Sequence, residues 1–115
     1  KGATLCGVSA GAICWFNKGI TDSWSNKLRV MKCLSFINEN ACPHYNGEKE
    51  RQPSVKKFLK LKEINSCICI DDGAAVHYKE GELNQTISFN NGGSAYRATF
   101  EDGNFIECKL KTVKI

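Results

Sequence analysis

No apolar run in these 115 residues approaches the ~20 needed to cross a bilayer as a helix, which excludes a membrane-spanning helix. The opening residues, Lys1 to Leu5, lack the charged start, long apolar stretch and small-residue cleavage site of a signal peptide, so a cytoplasmic location is expected. No Pro/Gly/Ser-rich linker and no internal repeat divides the chain, and residues 1–115 read as a single domain. Histidine is scarce: His44 and His77 are the only two. The seven cysteines are odd in number and irregularly spaced, which argues for reduced thiols rather than a disulfide framework. Cys42-Pro43-His44 and Cys67-Ile68-Cys69 bring soft ligands together without the C-x₂₋₄-C knuckle of a structural zinc site, so neither a metal nor a cofactor is expected. The net charge of +4 is spread over lysines from Lys27 to Lys114, with no basic stripe among aromatics to bind nucleic acid.

What is present is ordinary for a globular protein, 42% hydrophobic and 24% charged. Ala3 to Val8 reads as a short strand, followed by a sharp turn at Gly7-Val8-Ser9-Ala10-Gly11 and a helix from Ala10 to Phe16. Gly19 to Asn26 is polar and reads as a loop carrying Asp22, and a strand is expected near Cys33 to Ile37. Pro43 biases Cys42 toward an extended conformation, which holds His44 on a loop just past a strand end. Ser54 to Leu61 is patterned as an amphipathic helix, Cys67 to Ile70 as a buried strand ending at Asp71-Asp72-Gly73, and Ala74 to Tyr78 as its continuation past the turn. Glu80-Gly81, Asn91-Gly92-Gly93 and Glu101-Asp102-Gly103 are hairpin-type turn signals between β-formers, predicting a small antiparallel meander.

Gly7-Val8-Ser9-Ala10-Gly11 is a G-x-S-x-G nucleophile-elbow pattern, whose small residues let the backbone take a tight strand-to-helix turn that exposes a serine hydroxyl. The helix after it turns its free N–H groups toward a developing oxyanion, and the Ala10 N–H is the natural first donor. A serine needs a base held in place by a third group. His44, on a loop, suits that part better than His77, which falls within a strand pattern. For the orienting carboxylate, Asp22 lies on the loop after the elbow helix, and spacing leaves Glu39, Glu48, Asp71 and Asp72 open. A spacing of 13 positions from Ser9 to Asp22 cannot hold the strand–helix units that separate nucleophile and acid in α/β-hydrolases, so a different fold is required.

The stretches Gly7 to Phe16, Thr21-Asp22-Ser23, Cys42-Pro43-His44-Tyr45 with Gly47-Glu48 and Arg51, and Ile70 to Ala75 together resemble the successive signatures of the peptidase E (aspartyl dipeptidase) and cyanophycinase family. The likeness covers most of residues 3 to 78. It implies an α/β fold, part of a class I glutamine amidotransferase-like (flavodoxin-like) three-layer parallel sheet, to which the C-terminal meander is added. It implies Ser9 as nucleophile, His44 as base, Asp22 as the acid that orients it, and Arg51 as a bidentate clamp on an acidic substrate side chain. The implied activity is that of a serine exopeptidase, a dipeptidase for small peptides beginning with aspartate. The alternatives are a cyanophycinase-like hydrolase of aspartyl-arginine polymer and a catalytically idle scaffold of the same fold. Family members place their elbow near the middle of a chain about twice this length, so the expected partners are a small peptide and the missing N-terminal half of the domain. A homodimer is also compatible with the sequence.

Overall fold

A computed structural model describes residues 4–22, 27–89 and 92–115. Among the described residues two helices and nine strands follow the order α1 (Ala10–Ile13), β1 (Phe16–Thr21), β2 (Arg29–Lys32), β3 (Ile37–Cys42), α2 (Arg51–Lys60), β4 (Cys67–Ile70), β5 (Ala74–Lys79), β6 (Glu82–Ser88), β7 (Ala95–Glu101), β8 (Asn104–Lys109) and β9 (Thr112–Lys114). The class is mixed α/β, with a six-stranded sheet ordered β2-β1-β3-β4-β7-β8 and a three-stranded sheet ordered β5-β6-β9. Within the large sheet β1, β3 and β4 run parallel, and β2, β7 and β8 are antiparallel to their neighbours.

Strand β4 shows how the layers assemble. Its four residues are buried on both sides, and the two-residue period of a strand sends Cys67 and Cys69 to one face and Ile68 and Ile70 to the other. On the first face they meet Val55, Phe58 and Leu59 of α2 and Ile64 beyond it. On the second they meet Ile13 of the elbow helix, Phe16 and Ala41, with Val76 and Tyr78 of the small sheet packed against them. Burial is the first cause of the raised thiols of Cys42, pushed up to about 12, and Cys67, so these cysteines behave as small core side chains rather than nucleophiles.

Several expectations change. The described part of the expected Ala3–Val8 strand, Thr4 to Val8, has no strand pairing and is exposed, because no parallel neighbour lies beside it among the described residues; Ala3 lies outside them. The elbow helix spans four residues instead of seven, since Phe16 already enters β1. The expected Gly19–Asn26 loop begins inside that strand, while residues 23–26, and with them Ser23, lie outside the described residues. In place of the one strand expected near Cys33 to Ile37, β2 ends at Lys32 and β3 begins at Ile37, with residues 33–36 between them. Helix α2 starts three residues earlier than the apolar periodicity, at a buried arginine. Of the three turns, Glu80-Gly81 and Glu101-Asp102-Gly103 close hairpins, whereas the chain around Gly92-Gly93 carries it from the small sheet to the large one; Asn91 lies outside the described residues. The tail is therefore two hairpins in two sheets, not one meander.

Candidate active site

The register β1–β3–β4 aligns Gly19, Ala41 and Ile68 across the parallel strands. Three or four residues further on, each strand has passed the same sheet edge, where Asp22, His44 and Asp72 follow the carboxyl ends of β1, β3 and β4. Loops at this edge are where α/β sheets place ligand chemistry.

Ser9 reaches that edge from the elbow. Its backbone has φ 57° and ψ −119°, a conformation that L-residues seldom adopt. The turn also brings Gly7 so close to the next coil that a Cβ there would lie 1.9 Å from the Gly11 carbonyl oxygen, so only glycine fits. The Gly11 N–H donates to the Val8 carbonyl, and the Ala12 and Ile13 N–H groups donate to the Ser9 carbonyl. The Ala10 N–H has no acceptor among the described residues. The Ser9 hydroxyl caps no helix N–H. It instead lies 2.8 Å from His44 Nε2.

His44 also has a positive φ, 54°. Its loop is pinned on both sides: the Gly47 and Glu48 N–H groups donate to the His44 carbonyl, and the buried Tyr45 gives its N–H to Ile70 and its hydroxyl to Glu107. Burial and the Glu107 carboxylate both hold the Tyr45 phenol protonated. The other imidazole nitrogen, Nδ1, lies 2.7 Å from Asp72 Oδ1. Ser9, His44 and Asp72 thus form one hydrogen-bonded relay, with the carboxylate 55% exposed and the imidazole 33% exposed.

The remaining carboxylates go elsewhere. Asp22, expected to orient His44, is not at its imidazole: its Oδ1 lies 3.9 Å from Arg51 Nη2. Glu48 accepts from Arg51 Nε at 2.7 Å. Glu39, on β3, accepts from the Tyr78 hydroxyl and from Arg97 Nη2. Asp71 turns inward and accepts the Ser94 N–H at 2.9 Å, and loss of water raises its carboxyl above the ordinary range despite that bond. Arg51, expected as a clamp on substrate, is 3% exposed and spends Nη1 on the Ile20 carbonyl at 2.9 Å. Its guanidinium holds the end of β1 down onto α2. His77 lies on the small sheet, its Nδ1 3.3 Å from Asn84 Nδ2 across the hairpin. No group of three or more His, Cys, Asp or Glu side chains among the described residues could hold a metal ion. No helix among them is long and apolar enough to cross a membrane.

Sequence reasoning had Asp72 in view but no means of choosing it. The available signal was topological: Asp72 follows a buried strand that neighbours the strand before His44, a fact visible only once β3 and β4 are paired.

Residues 1–86 match Peptidase family S51. Over 110 residues the chain is 41% identical to the protein of Bacillus subtilis (strain 168) named "Uncharacterized peptidase YgaJ", a match that takes in 96% of this chain and 47% of that protein. The chain thus spans about half the length of the curated relative it matches. The matched residues include the elbow, the His44 loop and the Asp72 loop, and on that match and this relative the chain belongs to the peptidase E family, peptidase family S51.

Proposed function

We propose that the chain is the catalytic, C-terminal part of a serine-type dipeptidase for small peptides beginning with aspartate, working through Ser9, His44 and Asp72. The observation that carries this reading is the continuous relay of 2.8 Å from Ser9 Oγ to His44 Nε2 and 2.7 Å from His44 Nδ1 to Asp72 Oδ1. Ser9 attacks the peptide carbonyl while His44 Nε2 takes its proton and then gives it to the departing amine. Asp72 keeps the Nδ1–H tautomer in place and stabilises the imidazolium. The reading takes as oxyanion donor the Ala10 N–H, which lies at the start of the elbow helix.

The preference for an N-terminal aspartate rests on the family, and the cation that reads it is a side chain other than the buried Arg51. Three parallel strands with a helix packed on one face support the flavodoxin-like assignment. Leu5, Val8, Leu34 and Phe36 are each more than half exposed, apolar side chains that the other half of such a domain would cover. Unpaired buried thiols in the core accord with a cytoplasmic setting.

A fluorophosphonate tests the nucleophile directly. With the chain joined to its complementing half, labelling should map to Ser9 and vanish in Ser9→Ala and His44→Ala. Aspartyl-dipeptide hydrolysis in Ser9→Ala should fall by several orders of magnitude. Hydrolysis surviving within about tenfold of the parent would overturn the assignment.

A further inference from the structure

Asp72 is more than half exposed, and no bond from its own strand explains why its carboxylate stays on His44. The restraint comes from the neighbouring loop. Asn46, two residues after His44, accepts the Asp72 N–H on its Oδ1 at 2.8 Å. The next residue is Gly47, where a Cβ would lie 1.9 Å from Asp72 Oδ2; the carboxylate oxygen that does not face His44 rests in the space a side chain would take. Behind it, the Gly93 N–H donates to the Asp72 carbonyl at 3.1 Å. The His44 and Asp72 loops are therefore joined twice, once by the imidazole–carboxylate bond and once by the Asn46 carboxamide.

We infer that Asn46 is a positioning residue for the reaction, with Gly47 as its steric complement: the carboxamide fixes the Asp72 backbone so that Oδ1 faces His44 Nδ1. This rests on the reading of Ser9, His44 and Asp72 as the catalytic relay. An exposed hydrogen bond of this kind contributes little to the stability of the fold. Its effect on geometry is larger, because a displacement of about 1 Å in a catalytic group costs on the order of 10²-fold in rate. The other ionisable groups around these loops have their own partners: Glu48 and Asp22 lie at Arg51, Asp71 at the Ser94 N–H, and Glu107 at Tyr45.

The experiment uses the active enzyme and follows kcat and KM separately on an aspartyl dipeptide. Asn46→Ala should lower kcat by roughly 10- to 100-fold with KM within about twofold. Asn46→Asp keeps an acceptor oxygen, so it should recover most of kcat. Gly47→Ala should reproduce Asn46→Ala by pushing the carboxylate aside. Ser9→Ala and Asp72→Asn are measured alongside. If both are crippled and Asn46→Ala stays within about threefold of the parent, or if Asn46→Asp loses as much as Asn46→Ala, the positioning role is overturned and the relay stands. If Ser9→Ala remains active, the relay itself falls and the role of Asn46 with it.

Discussion

The loops after β1 and β4 begin alike. Each leaves a parallel strand that neighbours β3, and each puts an aspartate at the same sheet edge, Asp22 on one side of His44 and Asp72 on the other. They end in different chemistry because their surroundings differ. Beside Asp22 the buried guanidinium of Arg51 offers a cation. Beside Asp72 there is no side chain at Gly47, an accepting carboxamide at Asn46 and an imidazole nitrogen. A carboxylate takes its role from the donor within reach and the space left for it, and order along the chain decides neither.

The sharpest way to break that comparison is to remove each carboxylate's charge in turn. Asp72→Asn should lower kcat by roughly 10³ to 10⁴, since the amide permits the wrong imidazole tautomer. Asp22→Asn should change kcat by less than about tenfold, because its partner lies at the edge of ion-pair distance and its side chain is 55% exposed. Steady-state kinetics on an aspartyl dipeptide read both. The reverse ranking would return the orienting role to Asp22.

Arg51 sharpens the same contrast from the other side. Arg51→Leu leaves the Ile20 carbonyl without its donor and Glu48 without its partner in a nearly closed site. A loss of about 1–3 kcal/mol is expected in denaturant unfolding. Relative kcat/KM for peptides beginning with aspartate and with alanine should stay within about threefold of the parent ratio, an amount worth under 1 kcal/mol. A variant with unchanged stability and a lost preference for aspartate would show that the guanidinium does reach substrate.

How much of this was legible beforehand depended on whether the signal was local. The Cys67–Ile70 strand is bounded by its apolar run, and Pro43 correctly places His44 past a strand end. The elbow is carried by small residues whose sterics act within five positions. The strand expected near Cys33 to Ile37 is interrupted where Ser35 takes φ 62°, a break that no glycine marks. The unpaired Thr4–Val8 segment reads as a strand because propensity takes no account of whether a neighbour exists. Asp72 and Arg51 were beyond reach for a common reason: both are defined by partners 28 and 31 residues away, His44 and the Ile20 carbonyl. Composition cannot show whether an arginine after a histidine loop faces water or the core.

The smallest expected effect concerns Asp71, the residue beside the relay whose carboxyl points the other way. Desolvation lifts it above the ordinary aspartate range, the Ser94 N–H opposes that lift, and the charges of Glu107 and Asp72 add to it. A carboxyl raised in the folded state binds its proton more tightly there than in the unfolded chain. Its contribution to stability is therefore full below the ordinary aspartate value, about pH 4, and is lost as pH rises through the folded value. Asp71→Asn keeps an oxygen for the Ser94 N–H and has no proton to lose. The stability difference between the variant and the parent should thus shift in the variant's favour between about pH 4 and pH 7. Denaturant unfolding at the two pH values reads the shift. A difference that stayed constant, or moved toward the parent, would mean that the Asp71 carboxylate is better accommodated in the fold than its burial implies.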